Sequence, residues 1–481
     1  MTDQSLRESL LDWKRRETLA ESMIPLIGRL YRDHNVSCYM YGRSLVNRSV
    51  IEIIKAHKAV RHVETVALGE AQSFPIVEGL IQLGLGPARV DVGKLAMTYA
   101  KLDGGQSVEE FLRHKIGPLA DRRQKPLASP QDVVLYGFGR IGRLVARLLI
   151  EKSGGGDVLQ LRAIVLRRKS VDDLEKRASL LRRDSVHGPF QGTIAIDHAN
   201  EQLICNGTRI QMIYTDSPVG IDYESYGISN AVVVDNTGVW RDEEGLGQHA
   251  NNSGVSKVLL TAPGKGAIPN IVYGINDEEL NGKRIVSAAS CTTNAIVPVL
   301  KSLMDRFGIE RGHVETVHAY TNDQNLIDNF HKKARRGRGA PLNMVLTETG
   351  AASAVAKAIP ELEGKLTGNA IRVPTPNVSM AILNLQLSES TDRDELNAYV
   401  REMSLDSPLQ QQIGYSASQE VVSSDFVGSR HACIFDSQQT IVRDKSCVLY
   451  CWYDNEFGYS CQVVRCVEKM AGVVWAIVPS P

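Results

Sequence analysis

Asp132-Val-Val-Leu-Tyr-Gly-Phe-Gly-Arg-Ile-Gly-Arg143 opens on an apolar, β-branched run and closes on three glycines, Gly137, Gly139 and Gly142, in G-x-G-x-x-G spacing. Leu144, Val145, Leu148 and Leu149 follow at helical spacing, so the stretch reads as strand, glycine turn, helix. Each glycine has a physical task. The first permits the tight turn, the second lets backbone approach a pyrophosphate, and the third lets helix and strand pack closely. The helix N-terminus then faces the anion. With the strand before it and the helix after it, Gly137, Phe138, Gly139, Arg140, Ile141 and Gly142 form a candidate dinucleotide-binding turn.

Outward from this turn the texture stays regular. The apolar runs Val133–Leu135, Ala163–Leu166, Ala231–Val234 and Lys257–Leu260 alternate with helical stretches, which predicts βαβ units and a parallel sheet. Past residue 370 the strands lengthen, as in Val378–Leu387 and Ser446–Tyr453, and a second, more antiparallel domain is expected. Upstream, Leu19, Met23, Leu26, Ile27 and Leu30, and then Val50, Ile53, Ile54 and His57, recur at helical spacing. Pro25 predicts a kink or a fresh helix start. Ser107 with Glu110 is a capping box. Residues 118–131, polar and with three prolines, suit a linker. The expected fold class is α/β: a Rossmann-type dinucleotide-binding domain, an α+β domain with a mostly antiparallel sheet, and an extra N-terminal α-helical region. The expected boundaries are 1–128 for the extension, 129–290 plus 455–481 for the dinucleotide domain, and 291–454 for the third part.

Composition narrows the function classes. The chain has 481 residues, 55 Lys+Arg against 55 Asp+Glu, and 43% apolar residues. That profile is globular, and a zero net charge gives no reason to expect a nucleic-acid or membrane partner. No apolar run approaches the roughly 20 residues of a membrane span. The N-terminus reads as no signal peptide, so the eight cysteines are expected as reduced thiols in a cytoplasm. Cys447, Cys451, Cys461 and Cys466 lack zinc-site spacing and read as packing residues, so no metal is expected.

The strand after the glycine turn ends Leu166-Arg167-Arg168-Lys169-Ser170, with no acid before Asp172. An acid there binds a ribose 2′-hydroxyl, whereas arginine accommodates a 2′-phosphate. Arg167 is therefore the candidate that favours NADP over NAD, with Ser170 as a helper. Ser287-Ala-Ala-Ser-Cys-Thr-Thr-Asn294 follows another strand and precedes the helical stripe Ile296, Val297, Leu300 and Leu303. This places Cys291 near a helix N-terminus, where the dipole favours the thiolate. His318, at the end of the next apolar strand, is the natural proton partner.

Taken together, GFGRIGR, SCTTN, TVHAYT, IPELEGKLTGNAIRVPTPNVS and CWYDNEFGYS resemble the phosphorylating glyceraldehyde-3-phosphate dehydrogenase family, collinearly from about residue 132 to 481. The resemblance implies that Cys291 attacks an aldehyde with His318 as its base, and that hydride passes to NAD or NADP. A thioester is then released by inorganic phosphate. It also implies that Ser290, Thr292, Thr349 and Gly350 bind the attacking phosphate, and that Thr321 and Arg372 bind the substrate's phosphate. Asn455 would hold the nicotinamide amide, Tyr459 would pack near that ring, and Thr237, Gly238 and Thr261 would line the cofactor cleft. Asp323 departs from the animal-type pattern and is expected to orient Arg372. Residues 319–342, with Arg335, Arg336 and Arg338, match the family's S-shaped loop, implying a homotetramer. His187 is assigned no catalysis. The extra residues around Gly154-Gly155-Gly156 read as a loop without chemistry. The implied substrate is glyceraldehyde 3-phosphate. Erythrose 4-phosphate is the near alternative, and a regulatory or binding protein on this scaffold the distant one, since residues 1–117 are foreign to the ordinary subunit.

Overall fold

The computed structural model describes residues 3–64, 66–102, 105–119 and 125–480. Part of the expected linker, 120–124, and Gly104 of the Gly104-Gly105 break lie outside the described residues. The chain forms two compact units. One comprises Met1–Pro130, Ser153–Val158 and Val473–Pro481, and the other comprises Gln131–Lys152 and Leu159–Gly472.

The first unit contains the expected helices, and it also contains a sheet. A single helix, Asp3–His34, runs on through Pro25 instead of restarting there. Met23, Ile27 and Leu30 are buried on either side of the proline, so core packing outweighs one lost hydrogen bond. Ser107 caps Val108–Ile116 as the capping box predicts: its Oγ accepts from the Glu110 N–H at 3.2 Å, and its own N–H donates to Glu110 Oε2 at 2.8 Å. The helices pack on a four-stranded sheet in the order Arg43–Ser44, Val36–Met40, Ala88–Asp91, Ala476–Val478. The last two strands pair in parallel, Val478 opposite Val90, and Val478 lies in the same core as Met23, Ile53 and Phe111.

One expectation is corrected here. Residues 473–481 belong to this unit, not to the dinucleotide domain, because the strand Ala476–Val478 needs a partner edge and finds it in Ala88–Asp91. The glycine-rich insertion is a loop, as expected, and it is tied down within the first unit. Gly154 N–H donates to Tyr31 Oη at 3.0 Å and Gly155 N–H to Asn35 Oδ1 at 3.1 Å.

The second unit holds two eight-stranded sheets. The first is parallel from Ile285–Ser287 through Val255–Leu260, Ala231–Asp235, Gln131–Tyr136 and Leu159–Leu166 to Thr208–Tyr214, and adds two antiparallel edge strands. Central strands such as Ala231–Asp235 are buried throughout, as a sheet covered on both faces requires. The second sheet is mostly antiparallel, with Ile309–Ala319 between Leu366–Val373 (parallel) and Ser379–Leu387 (antiparallel). Its core face packs Val314, Leu383 and Leu449 against Ala295, Val299 and Leu303 of the helix Cys291–Phe307.

Candidate active site

The glycine turn takes the expected form. Gln131–Tyr136 ends, Gly137 adopts φ +91°, and the helix Arg140–Glu151 begins with Gly139 at its N-cap. A Cβ on Gly142 would sit 2.4 Å from the Gly137 carbonyl oxygen, so the helix and turn close on each other only without it. A Cβ on Gly139 would meet nothing within 4 Å. The backbone is open where a pyrophosphate must approach and tight where helix and strand must pack. Thr237 lies directly beside this turn, its methyl 2.8 Å from the Cβ position of Gly137. It is fixed by Asp235, whose Oδ1 accepts from both the Thr237 N–H (2.7 Å) and its hydroxyl (2.6 Å). Thr261 Oγ1 donates to the Asp235 carbonyl at 3.0 Å, and Gly238 adopts φ +63°.

Arg167 follows Leu159–Leu166 directly and is exposed. Its nearest charge is the exposed Asp216, at 3.8 Å. The two acids that follow are already engaged. Asp172 pairs with Lys176 at 2.8 Å, and Asp173 pairs with Arg177 at 3.1 Å and accepts the Lys169 N–H.

Cys291 is the first residue of its helix, and Ser290 is the N-cap, its Oγ accepting from the Thr293 N–H at 3.0 Å. Ahead of it Ala289 is held at φ +53°, a conformation a non-glycine residue adopts only under constraint. The constraint is visible: Ala289 N–H donates to Ser287 Oγ at 3.0 Å, and Tyr459 Oη donates to the Ala289 carbonyl at 3.0 Å. Cys291 Sγ lies 3.6 Å from His318 Nε2. Burial pushes the thiol up, opposed by the Arg372 charge and by hydrogen bonding to Thr292. Burial and then the Arg372 charge push the His318 imidazole down to about 3. On its far side, Nδ1 is 2.7 Å from the Ala319 carbonyl and 2.7 Å from Arg372 Nη1.

The remaining expected residues make contacts within the chain. Thr292 Oγ1 contacts Tyr453 Oη at 2.9 Å, and Ser290 caps its helix. Thr349 Oγ1 accepts from Ala351 N–H, and Gly350 is the N-cap of Ala351–Ala358. Thr321 donates to Asp323, and Asp323 pairs with Arg336 at 2.9 Å, not with Arg372. Burial alone would raise the Asp323 carboxyl, yet the Thr321 hydrogen bond and the Arg336 charge hold it below its usual range. Tyr459 is buried and bonded to the Ala289 carbonyl, so it braces the turn before Cys291. Asn455 Oδ1 accepts from Ser379 Oγ at 2.8 Å, and Ser379 Oγ accepts from Ala319 N–H at 3.1 Å.

Several positioning contacts escaped the sequence reading. Arg140 sits in the glycine turn, but its guanidinium is held by Asp184 (2.9 Å) and Glu456 (2.7 Å through Nε). Its side chain therefore ties the start of Arg140–Glu151 to the start of Phe457–Met470. His187 Nε2 is 3.2 Å from the same Glu456. Burial alone would raise that carboxyl, and hydrogen bonds from His187 and Arg140 hold it down. Ser379 links the strand carrying His318 to Asn455. Adjacency to the motifs was the only signal for these residues.

A glycine turn of dinucleotide-binding form, and in the same unit a cysteine at a helix start with an imidazole and a guanidinium behind it, define the class: a dinucleotide-binding α/β fold that carries a thiol–imidazole pair. Residues 131–243 match the family described as glyceraldehyde 3-phosphate dehydrogenase, NAD binding domain, and residues 290–455 match its C-terminal domain. The chain belongs to the glyceraldehyde-3-phosphate dehydrogenase family. It is 61% identical to a glyceraldehyde-3-phosphate dehydrogenase-like protein of Pseudomonas aeruginosa (strain UCBPP-PA14), over 94% of this chain and 98% of that protein. It is 41% identical to glyceraldehyde-3-phosphate dehydrogenase 1 of Kluyveromyces marxianus, over 71% of this chain and 99% of that protein. It is also 41% identical to a glyceraldehyde-3-phosphate dehydrogenase of another Pseudomonas aeruginosa strain, over 68% and 94%. Most of the first unit is thus shared with the first of these relatives. Among the described residues no helix is long and apolar enough to cross a membrane.

Proposed function

We propose that the protein catalyses the reversible, phosphorylating oxidation of D-glyceraldehyde 3-phosphate to 1,3-bisphosphoglycerate. The observation that carries this reading is Cys291 at a helix start with His318 Nε2 at 3.6 Å and Arg372 behind it. His318 takes the thiol proton, Cys291 Sγ adds to the aldehyde carbon, and His318 passes that proton on to the carbonyl oxygen, giving a hemithioacetal with a hydroxyl group and a neutral imidazole. His318 then receives the hydroxyl proton as the carbon is oxidised to a thioester. Inorganic phosphate attacks the thioester carbon, the C–S bond breaks, and the thiol is regenerated. The dinucleotide, when bound at the glycine turn, supplies the hydride acceptor. The open backbone at Gly139 and the tight one at Gly142 fit that group. Asn455, with Oδ1 on Ser379, keeps its NH₂ for the nicotinamide amide. Thr321 and Arg372 take the substrate's phosphate, and Ser290, Thr292, Thr349 and Gly350 the attacking one.

NADP is the preferred cofactor in this reading. Arg167 is exposed and cationic, and the two acids after it are engaged by Lys176 and Arg177. A homotetramer in the cytoplasm is part of the same reading. Support comes from the loop 319–342, where Leu326, Ile327 and Phe330 are 76%, 78% and 92% exposed in the single chain and call for a covering partner.

Initial rates with glyceraldehyde 3-phosphate and erythrose 4-phosphate, each with NAD and NADP and with or without inorganic phosphate, test all of this. Phosphate-dependent turnover of the triose, a higher kcat/KM with NADP that Arg167→Asp reverses, and loss of turnover in Cys291→Ser are expected. Phosphate-independent oxidation that favours the tetrose overturns the substrate assignment.

A further inference from the structure

We propose that His249 is a positioning residue for the dinucleotide: it holds one oxygen of Asp235, and Asp235 with its other oxygen fixes Thr237 against the glycine turn. This rests on the reading of Gly137–Gly142 as the dinucleotide's turn and extends it to a side chain that solvent does not reach.

Asp235 ends the strand Ala231–Asp235 and stands opposite Tyr136, the residue before Gly137. Its side chain is 0% exposed. Oδ1 accepts twice from Thr237, from the N–H at 2.7 Å and from the hydroxyl at 2.6 Å. Oδ2 has no hydrogen-bond partner among the described residues, and it faces His249 Nε2 at 3.4 Å. His249 belongs to the helix Glu243–Ala250 and is also 0% exposed. Neither of its ring nitrogens has a hydrogen-bond partner among the described residues. The 3.4 Å contact is longer than an ordinary hydrogen bond, yet it is the polar contact that both buried groups share. A carboxylate only accepts, so the hydrogen between them belongs on Nε2.

The imidazole is held in place by aromatic walls. Tyr136 meets it edge-on at 4.6 Å between ring centroids, and Trp240 does so at 5.4 Å. Both walls flank the turn, for Tyr136 precedes Gly137 and Trp240 follows Thr237 by three residues. At the other end of the relay the Thr237 methyl lies 2.8 Å from the Cβ position of Gly137, so a shift of Thr237 is felt where the backbone turns.

Stability alone does not call for this pair. A buried acid and imidazole can be exchanged for apolar side chains of the same volume at little or no loss. An apolar pair, however, offers no acceptor for the N–H and hydroxyl of Thr237. Asp235 serves Thr237, and His249 serves Asp235. Without the imidazole a carboxylate oxygen is left buried and unpartnered, which is costly. Rotation of the carboxylate relieves that cost and gives up Thr237.

Dinucleotide affinity, measured apart from chemistry, tests this. Fluorescence titration with NADPH and NADH gives Kd for the wild type, His249→Leu and His249→Gln. Leucine keeps the volume, and glutamine puts an amide N–H close to the place of Nε2. Binding about tenfold weaker is expected in His249→Leu, and binding within about threefold of wild type in His249→Gln. In turnover the loss should fall on the KM for the dinucleotide more than on kcat. Combined with Thr237→Val, His249→Leu should lose little beyond the larger single loss, because both changes break one route. An unchanged Kd in His249→Leu overturns the inference. Equal losses in the leucine and glutamine variants overturn it too, since ring packing then carries the effect, and so do losses that multiply with Thr237→Val. If His249→Leu does not fold, wild-type protein carrying ¹⁵N-histidine decides: Nε2–H is expected at His249, and a bare Nε2 overturns the relay. A wild type that binds neither dinucleotide removes the proposed cofactor site. A wild type that binds them no more tightly than His249→Leu removes the role of His249 alone.

Discussion

At the residue scale the imidazole of His318 is the most consequential group. Burial and the neighbouring guanidinium hold it neutral down to about pH 3 in the folded chain, whereas an exposed histidine takes a proton near 6.5. Between those values the unfolded chain binds more protons than the folded one. Stability contributed by this residue is therefore complete above pH 6.5 and is lost as pH falls. Each pH unit in that window costs about 1.4 kcal/mol, so the change from pH 6.5 to 5 is about 2 kcal/mol. Denaturant unfolding of the wild type and of His318→Gln at both pH values checks this. The variant should lose roughly that much of the pH dependence, and equal slopes would show that the imidazole is not held neutral. The residues around it were only partly legible in the sequence. Cys291 and His318 stood out because their neighbours announce a helix start and a strand end. The pairing of Asp323 with Arg336 did not, since it depends on how a loop folds back.

At the element scale the junction of strand, turn and helix separates binding from folding. Gly139 and Gly142 belong to one motif but face different surroundings. A side chain at Gly139, whose φ is −74°, meets open space, whereas one at Gly142 runs into the Gly137 carbonyl. Gly139→Val should keep the melting temperature within a few degrees and weaken dinucleotide binding at least a hundredfold, by filling the pyrophosphate's approach. Gly142→Val should lower the melting temperature itself, because it forces helix and strand apart. Fluorescence titration with NADPH and thermal unfolding of both variants decide the matter. If Gly139→Val binds normally, the turn is not the phosphate site. The start of this helix is further tied by Arg140 to Asp184 and Glu456, so the N-termini of Arg140–Glu151 and Phe457–Met470 share one charged clasp.

At the scale of the whole molecule the chain's last residues complete a core built from its first. Val478 is 2% exposed among Met23, Ile53 and Phe111, and its strand is the outer member of a four-stranded sheet. Removing 473–481 strips that sheet of a strand and leaves apolar surface open. Val478→Asp buries a carboxylate there, at a cost of roughly 3 kcal/mol. Both changes should bring forward an unfolding transition, with limited proteolysis cutting first within 1–130. Cleavage and melting equal to the full chain's would show that the strand is dispensable. Sedimentation of the intact chain should give the mass of four copies.

The sequence by itself determined the glycine turn, the placement of Cys291 at a helix start, the strand ending at His318 and the family. Those features depend on residues a few positions apart, and local backbone preference with capping sets them. Only the tertiary structure decided that short segments at 36–40, 88–91 and 476–478 form one sheet, for a strand of three to five residues has no stability until distant partners supply its hydrogen bonds. It also decided that Arg372 rests on Nδ1 of His318, because a guanidinium chooses among acceptors that the chain brings together only when folded.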